Sequence, residues 1–416
     1  MSIMKAVIIA TEFKRRDSKE SNLLDFLFGM PVIEHSVRKL KGHEIILVYH
    51  DEKVGEFIKG KFPHVKIVYN SKPEKGNVWG LYLTKDFVTD DFILLNANNF
   101  YGEKFFEIDR KELTTVLVSL QSKNVNEATK VKVKGKKIVD IGKELEEYEY
   151  FDTGFLYCKK EVLDYAEKFR NRDKSLSDII LELAKNGKVE YELIDDFWIE
   201  IDGREDLGKA EKSIEKGLIR KTDGIINRII NRKISTKITR ILVRYEFITP
   251  NLVTLISFMI GLFSSALFFT RNFFLAGIMA QTCSIIDCSD GEIARVKNMK
   301  SKFGAVFDSI TDRYVDFSIV LGMVFAYGFT KLSIVAFFLA ISACIFPSYV
   351  FHLTGLRSMI FGRDMRLFMI MIGGILAHFS QEFLIYTMLF MGVFINISVI
   401  SVLYRFFDEQ KIKEDK

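Results

Sequence analysis

Apolar positions are distributed along this chain in two different ways. From Met1 to about Arg244, short apolar runs alternate with stretches rich in lysine, glutamate and aspartate. From Pro250 to about Phe407, phenylalanine, isoleucine, leucine, methionine and valine dominate, and charges are sparse. The first pattern is typical of a soluble domain and the second of membrane-spanning helices, so we expect at least two structural units.

The first 210 residues predict strands that alternate with amphipathic helices. The predicted strands are Lys5–Ala10, Glu44–Tyr49, Lys66–Tyr69, Phe92–Leu95 and Thr115–Leu120. The predicted helices are Ile33–Leu40, Gly55–Lys61 and Lys75–Lys85. Alternation at this spacing favours an α/β fold with a mostly parallel, Rossmann-like sheet.

The apolar half predicts six membrane-spanning helices, since each crossing of a bilayer needs about 20 mainly apolar residues. The predicted spans are 250–270, 273–294, 304–328, 332–353, 367–379 and 382–404. With the N-terminal half inside, the inner loops are rich in lysine and arginine, whereas the outer loops carry only Arg271 and Lys331. The positive-inside rule therefore places both termini in the cytoplasm of a multi-pass cell-membrane protein.

A basic amphipathic helix is predicted between the two halves. Isoleucines recur at helical spacing from Ile225 to Ile241, with lysines and arginines between them. Beside a membrane span, such a helix lies in the headgroup layer with its apolar side toward the lipid. The alternative is a helix packed on the soluble domain with solvated cations. We divide the chain into a cytoplasmic domain (1–212), this linker helix (213–246), a transmembrane domain (247–407) and a charged cytoplasmic tail (408–416).

Composition excludes few function classes. The net charge of +5 over 416 residues is small and does not indicate a nucleic-acid partner. The four cysteines show neither a CxxC pair nor a Cys/His spacing, so we expect no zinc site and no disulfide framework.

Four aspartates inside the apolar half change the picture. Asp287 and Asp290 lie near the end of the second predicted span, and Asp308 and Asp312 near the start of the third. Each pair has helical spacing and so shares a face. An acid at mid-bilayer costs roughly 2.5–3.5 kcal/mol on insertion scales, and acids in spans are functional by default.

A short connection makes these two helices antiparallel neighbours, so both pairs are expected to meet near the cytoplasmic surface. Converging carboxylates repel one another unless cations lie among them. An all-oxygen ligand set suits Mg²⁺, Mn²⁺ or Ca²⁺ rather than zinc. Gly291 and Gly304 would let a helix or a ligand approach closely. Arg295 follows at the membrane surface, where a guanidinium can hold a phosphate bidentately.

Further polar residues have weaker assignments. Asp316 lies one turn past Asp312 and is expected to form a buried ion pair or hydrogen bond; the alternative is that it extends the polar site. Arg357, Arg363 and Arg366 lie between the fourth and fifth predicted spans. They either bind the phosphate of a phosphorylated acceptor or only satisfy the positive-inside rule.

The pattern DxxDGxxAR, eight residues, then GxxxDxxxD resembles the signature of the CDP-alcohol phosphotransferase family, over about residues 245–405. The resemblance implies six transmembrane helices, a homodimer and a two-metal site with Mg²⁺ or Mn²⁺, which Ca²⁺ can also occupy. It implies metal binding by Asp287, Asp290, Asp308 and Asp312, the last also being the general base. It implies a CDP site formed by Asn251, Gly291, Ala294, Arg295 and Gly304.

The reaction that this resemblance implies is metal-dependent transfer of a phosphoalcohol or phosphatidyl group from a CDP-alcohol to an acceptor hydroxyl, with release of CMP. The acceptor is an alcohol or a phosphorylated alcohol, and the product is a phospholipid or a polyol phosphodiester. A different class, an acid-lined ion transporter, predicts acids spread through the bilayer depth. A third class is a scaffold whose soluble domain senses a nucleotide.

The segments AVIIA, EKGNVWGL, DDFILLNAN and WIEIDGREDLGKAE resemble the sugar-phosphate and polyol-phosphate nucleotidyltransferases. The family's glycine-rich phosphate loop is replaced here by Thr11–Arg16, and its first metal-binding aspartate by Asn98, whereas Asp202 matches the second. We therefore expect a domain that kept the fold and lost catalysis, with an active cytidylyltransferase as the alternative. The pairing of both halves resembles bifunctional proteins that make CDP-inositol and condense it with inositol phosphate.

Overall fold

The protein was analysed as a computed structural model that describes residues 3–10, 22–107, 109, 111–172, 174–220, 223–356 and 362–414. The chain forms two compact units, Met1–Ile214 and Glu215–Lys416.

The first unit is built from strands and helices in alternation. Its strands are β1 (Lys5–Ala10), β2 (Phe26–Leu27), β3 (Met30–Pro31), β4 (Glu44–Tyr49), β5 (Lys66–Tyr69), β6 (Phe92–Asn96), β7 (Asn99–Tyr101), β8 (Thr114–Ser119), β9 (Lys130–Lys134), β10 (Lys137–Gly142), β11 (Tyr150–Cys158), β12 (Val189–Leu193) and β13 (Trp198–Glu200). Its helices are α1 (Val32–Lys39), α2 (Glu52–Lys61), α3 (Gly76–Tyr82), α4 (Val162–Phe169), α5 (Leu176–Lys185) and α6 (Arg204–Leu218), the last of which continues into the second unit.

Within the described residues, nine strands form one sheet in the order β5-β4-β1-β6-β11-β8-β12-β10-β9. The strands β5, β4, β1 and β6 are parallel, as the sequence predicts. Beyond them the sheet is mixed, because β11 runs antiparallel to β6 and β8, and β9 and β10 form an antiparallel hairpin. All five predicted strands are confirmed with ends within one residue, and the three predicted helices with ends within three residues.

Strand β1 lies inside the sheet and is apolar on both faces. Val7 and Ile9 belong to one buried cluster, and Ala6 and Ile8 to a second cluster. All four side chains are fully buried. Successive side chains of a strand point to opposite faces, so a strand covered on both faces reads as a continuous apolar run.

The second unit is helical. A π-helical turn (Asn227–Asn231) leads into α7 (Arg232–Leu242), which is followed by α8 (Pro250–Phe269), α9 (Phe273–Val296), α10 (Lys302–Tyr327), α11 (Lys331–Thr354), α12 (Arg363–Ala377) and α13 (Glu382–Glu414). In the described part of the chain, three helices are long and apolar enough to cross a membrane: α8, α11 and α13 over Glu382–Asp408. The helices α9, α10 and α12 lie at the other three predicted spans and carry more polar residues.

Small residues let the helices of this unit approach closely. A Cβ at Gly374 of α12 would lie 2.7 Å from the carbonyl oxygen of Phe273 and 3.0 Å from Cα of Gly277 on α9. A Cβ at Gly261 of α8 would lie 2.5 Å from Val315 of α10. Glycine at these positions therefore allows α9 to contact α12, and α8 to contact α10.

The polar side of α7 is the buried side. Ser235 and Thr239 are fully buried against α9, whereas Ile234 and Ile241 are 43% and 57% exposed. This orientation is the reverse of a helix on a soluble core, where the apolar side is covered. The exposed isoleucines leave the apolar side of α7 available to lipid.

Candidate active site

Carboxylates of α9 and α10 converge in the second unit. Among the described residues, Asp287, Asp308 and Asp312 each offer a carboxylate oxygen within 4.8 Å of the others. Asp290 is largely buried and accepts a hydrogen bond of 2.5 Å from the Thr254 hydroxyl of α8. Asp287 and both acids of α10 therefore converge, whereas Asp290 is bonded to α8 and is not part of this group of three.

Local capping sets the short connection between these helices. The Ser301 hydroxyl accepts from the backbone N–H of Gly304, so Ser301 is the N-cap of α10. The helix therefore begins two turns before Asp308. This start places the acids of α10 beside those of α9.

The oxygens of these acids are close enough together to be ligands of one cation. One carboxylate oxygen of Asp308 is buried with no hydrogen-bond partner in the part of the chain that the structure describes. A buried carboxylate oxygen with no donor is costly, and neighbouring carboxylates raise that cost. An all-oxygen set of this kind fits a divalent ion such as Mg²⁺, Mn²⁺ or Ca²⁺.

Arg363 supplies positive charge to the same cluster. Its Nη1 lies 2.8 Å from Asp287 Oδ2 and 2.8 Å from Asp312 Oδ1, and its Nε lies 3.2 Å from Asp316 Oδ1. The structure places Arg363 at the first residue of α12. Its side chain is therefore part of the carboxylate cluster and not of an exposed loop.

Asp316 is held in a buried ion-pair network, which confirms the expectation for this residue. Its carboxylate is 2.9 Å from Arg366 Nη2 and 3.2 Å from Arg313 Nη1, in addition to the contact with Arg363. Asp316 and Arg366 are 1% and 3% exposed. The charge of Arg366 is thus already paired with Asp316, and Arg357 lies outside the described residues.

The proposed CDP residues flank the cluster at the ends of the helices. A Cβ at Gly304 would lie 3.1 Å from Asn251 Oδ1, so Asn251 faces the start of α10. A Cβ at Gly291 would lie 3.4 Å from Nη1 of Arg295. Arg295 donates to the carbonyl oxygen of Leu218 at 3.1 Å, and its Nε has no partner among the described residues. Ala294 is half-buried between them.

Two charged residues of this region were missed by the sequence analysis. Glu292 is fully buried on α9, and Arg232 at the start of α7 is 6% exposed. Glu292 occupies a variable position of the DxxDGxxAR pattern, where the pattern itself gives no signal. Arg232 was counted among the basic residues of the linker helix, and its spacing relative to Ser235 and Thr239 is the only available hint.

The first unit has a cavity of about 570 Å³. It is lined chiefly by polar groups, among them Asn96, Asn99, Lys123, Asp152 and Glu200. Such a lining of amides and charged groups suits a polyhydroxylated ligand.

The sequence-predicted metal position of the first unit holds an amide. Asn98 is buried and donates from Nδ2 to Glu200 Oε1 at 3.2 Å. Asp202 accepts from Lys123 at 2.6 Å, and the same ammonium lies 3.0 Å from Asp206. An ammonium therefore already neutralises the remaining family acid. The segment Thr11–Arg16 lies outside the described residues.

Burial raises the pKa values of two carboxyl groups that line this cavity. It raises the pKa of Asp152 to about 6, although the N–H of Gly154 donates to its carboxylate. Burial and the nearby charge of Asp202 also raise the pKa of Glu200. Both shifts favour the protonated acid in the folded state.

Comparison with known proteins decides the family. Residues 247–404 match the family model described as CDP-alcohol phosphatidyltransferase. The chain is 34% identical over 414 residues to the "Bifunctional IPC transferase and DIPP synthase" of Archaeoglobus fulgidus, covering 94% of this chain and 82% of that protein. The chain belongs to the CDP-alcohol phosphatidyltransferase family. It is a transferase that moves a substituted phosphate group from a CDP-alcohol to an acceptor hydroxyl and releases CMP.

A second relative of this CDP-alcohol phosphotransferase also matches over both units, and a solved structure matches over about half of the chain. A protein of the same name from Aquifex aeolicus is 33% identical over 369 residues, covering 85% of this chain and 84% of that protein. The solved structure of the inositol-1-phosphate CTP transferase from T. maritima is similar at 23% identity and a TM-score of 0.47, and covers 52% of this chain and 97% of that chain.

Proposed function

We propose that the second unit transfers a phosphoinositol group from CDP-inositol to a hydroxyl of inositol phosphate, with release of CMP. The observation that carries this proposal is the convergence of Asp287, Asp308 and Asp312 within 4.8 Å, at the positions of the family signature. The inositol-bearing substrates follow from the resemblance to bifunctional proteins that make CDP-inositol and condense it with inositol phosphate. The A. fulgidus and A. aeolicus relatives, each named a bifunctional IPC transferase and DIPP synthase, support that resemblance.

Metal binding is assigned to Asp287, Asp290, Asp308 and Asp312, whose oxygens are the ligand type that Mg²⁺ and Mn²⁺ prefer. When bound, two divalent ions neutralise the diphosphate and the charge that develops on it. Asp290 is oriented for this role by its hydrogen bond from Thr254.

Asp312 is assigned as the general base. Its carboxylate lies beside the other acids and within 2.8 Å of Arg363. A base must lie within hydrogen-bond reach of the hydroxyl whose proton it removes. We therefore place the acceptor hydroxyl next to Asp312, with its phosphate toward Arg363. Arg366 is assigned to hold Asp316, because its ion pair among the described residues is with Asp316, whereas Arg363 also contacts the proposed base.

The diphosphate of the donor is assigned to the ends of α9 and α10. The half-buried guanidinium of Arg295 has an unpartnered Nε and can hold a phosphate oxygen. Gly291, Ala294 and Gly304 leave room for the nucleotide, and Asn251 offers an amide beside it.

We further propose six membrane spans with the active site and both termini in the cytoplasm, and a homodimer. Three apolar helices support the membrane assignment, and the asymmetry of lysine and arginine supports the orientation. The exposed isoleucines of α7 favour placement of that helix at the surface of the bilayer.

For the first unit we propose loss of metal-dependent nucleotidyl transfer. Asn98 cannot supply the negative charge of a carboxylate to Mg²⁺, and Asp202 is paired with Lys123. A second candidate, a fully bifunctional enzyme, is favoured by the similarity of the relatives across both units.

A panel of three incubations of the purified full-length protein with Mg²⁺ tests these proposals. CDP-inositol with inositol phosphate is expected to yield CMP and a phosphodiester. CDP-diacylglycerol with inositol phosphate is expected to yield no CMP, and turnover there would make the product a phospholipid instead. CTP with inositol phosphate is expected to yield no pyrophosphate, so steady pyrophosphate release would establish the bifunctional alternative.

A further inference from the structure

A buried carboxylate lies on the side of α9 opposite the metal-site acids. Glu292 is fully buried and accepts hydrogen bonds from Arg232 Nη1 at 2.8 Å, the Ser235 hydroxyl at 2.6 Å and the Thr239 hydroxyl at 2.6 Å. All these donors belong to one face of α7. Both oxygens of the carboxylate are therefore satisfied by a single neighbouring helix.

Arg232 extends this contact to a second acid and to the backbone of α9. Its Nε and Nη2 donate to the carboxylate of Asp223 at 2.9 Å and 3.0 Å, and its Nη1 donates to the carbonyl oxygen of Cys288 at 3.1 Å. Burial alone would raise the pKa of Asp223, but the bonds from Arg232 hold that pKa below its usual value. The guanidinium thus joins two carboxylates and one turn of α9.

Glu292 lies on the opposite side of α9 from Asp287 and Asp290. At 100° per residue, Glu292 lies about 170° around α9 from the midpoint of Asp287 and Asp290. A contact on that side fixes the rotation of the helix about its axis. Any rotation that breaks the bonds to Glu292 also turns both aspartates away from α10.

The same linker segment also contacts α12. The backbone N–H of Asn227 donates to Asp364 Oδ2 at 2.9 Å. A side chain at Gly224 would overlap that carboxylate. Asp364 follows Arg363, whose guanidinium contacts Asp287 and Asp312. Residues 223–239 therefore hold the backbones that carry the acids of α9 and the arginine of the site.

We propose that Glu292 and Arg232 are positioning residues that set the affinity of the carboxylate cluster for a divalent ion. They act through the orientation of α9 and touch neither substrate nor metal. Removal of side chains that orient metal ligands typically lowers metal affinity or activity by about 10–100-fold. This inference rests on the proposed metal site.

The test is Mn²⁺ binding to the purified full-length protein in detergent. Binding is measured by electron paramagnetic resonance in the absence of substrates. Glu292→Gln is expected to weaken binding by about tenfold or more. Thr239→Val removes one hydrogen bond without a change of charge and is expected to weaken binding in the same direction by a smaller factor. It keeps the inference testable if the buried charge change prevents folding.

Gln281→Met is the matched control. Gln281 of α9 donates to Asn231 at 2.7 Å, between the same two segments but two turns before Asp287. This variant is expected to bind Mn²⁺ within about twofold of the parent protein. Equal weakening in Gln281→Met and Glu292→Gln would show a general packing effect and overturn the inference.

Asp308→Asn separates failure of the inference from failure of the metal site. If Asp308→Asn loses Mn²⁺ binding while both Glu292→Gln and Thr239→Val retain the parent affinity, only the positioning role is wrong. If Asp308→Asn binds Mn²⁺ as the parent does, the metal site itself is wrong.

Discussion

Single cations neutralise groups of acids in this protein. In the first unit, the ammonium of Lys123 lies 2.6 Å from Asp202 and 3.0 Å from Asp206. In the second unit, the guanidinium of Arg363 is shared in the same way among the acids of the active site. The pairs of Arg363 are the more buried, and removing one partner of a buried pair is costly because it leaves an uncompensated charge. Each of these two cations therefore offsets part of the repulsion among neighbouring carboxylates.

The raised pKa of Asp152 predicts a pH dependence for the first unit. Its pKa is about 6 in the folded protein against an ordinary value of 3.8. The contribution of Asp152 to the free energy of unfolding is therefore fully present below about pH 4. It is lost as the pH rises through 6. Asp152→Asn keeps the group neutral, so we expect the variant to melt at a higher temperature than the parent at pH 7.5, and by a clearly smaller margin at pH 4.5.

Tryptophan fluorescence checks this prediction on the full chain, because the two tryptophans, Trp79 and Trp198, both belong to the first unit. The exposed Glu146→Gln is the control and is expected to follow the parent at both pH values. A difference between Asp152→Asn and the parent that is as large at pH 4.5 as at pH 7.5 would rule out titration as its cause.

For single residues, the sequence predicted the four acids as site candidates through their helical spacing and their family pattern. It did not predict that Arg363 contacts Asp287, since the two residues are 76 positions apart and no periodicity links them. Glu292 was missed for a related reason, because its donors lie on a helix that the sequence marks only as basic.

Helices α9 and α12 cross where glycine faces glycine. A Cβ at Gly374 would lie 2.7 Å from a backbone carbonyl oxygen of α9, and backbone cannot yield as a flexible side chain does. This crossing fixes the distance between the acids of α9 and Arg363 at the start of α12. The packing of two elements thus contributes directly to the geometry of the site.

Gly374→Val is expected to destabilise the second unit by about 1–3 kcal/mol, the usual cost of overpacking. A thiol-reactive dye measures this in a Cys158→Ser background, where all remaining cysteines lie in the second unit and Cys283 and Cys344 are buried. The midpoint of dye labelling should fall to a lower temperature than in the parent background.

Ala266→Val is the matched control, since Ala266 is exposed on α8 and the substitution adds the same β-branched side chain. It is expected to leave the midpoint of dye labelling nearly unchanged. An unshifted midpoint in Gly374→Val would mean that α9 and α12 do not cross as closely as described.

At the scale of helices and strands, the sequence predicted those elements that have a clear pattern of apolar residues. The buried parallel strands were confirmed almost to the residue, because a continuous apolar run bounded by polar residues has few alternatives. The hairpin of β9 and β10 was missed, since its lysine-rich sequence reads as a solvated segment. The buried polar face of α7 was missed because amphipathicity alone does not say which side faces the protein.

At the scale of the whole molecule, two units with different chemistry share one chain. The first keeps a polar cavity and an amide at a family metal position, whereas the second keeps every fixed position of its family pattern. Similarity to bifunctional relatives extends over both units. We therefore assign catalysis to the second unit, as metal-dependent transfer at the four aspartates.

The most direct test of that claim is CMP release from CDP-inositol and inositol phosphate while Mg²⁺ is titrated. The parent protein and Asp408→Asn, an equivalent change at an exposed position of α13, should release CMP only when the divalent ion is present. Asp312→Asn should be slower by about 10²–10⁴-fold, the usual contribution of a general base, with unchanged dye labelling of its buried cysteines. A near-parental rate in Asp312→Asn, or CMP release by the parent protein that persists in excess chelator, would contradict the account.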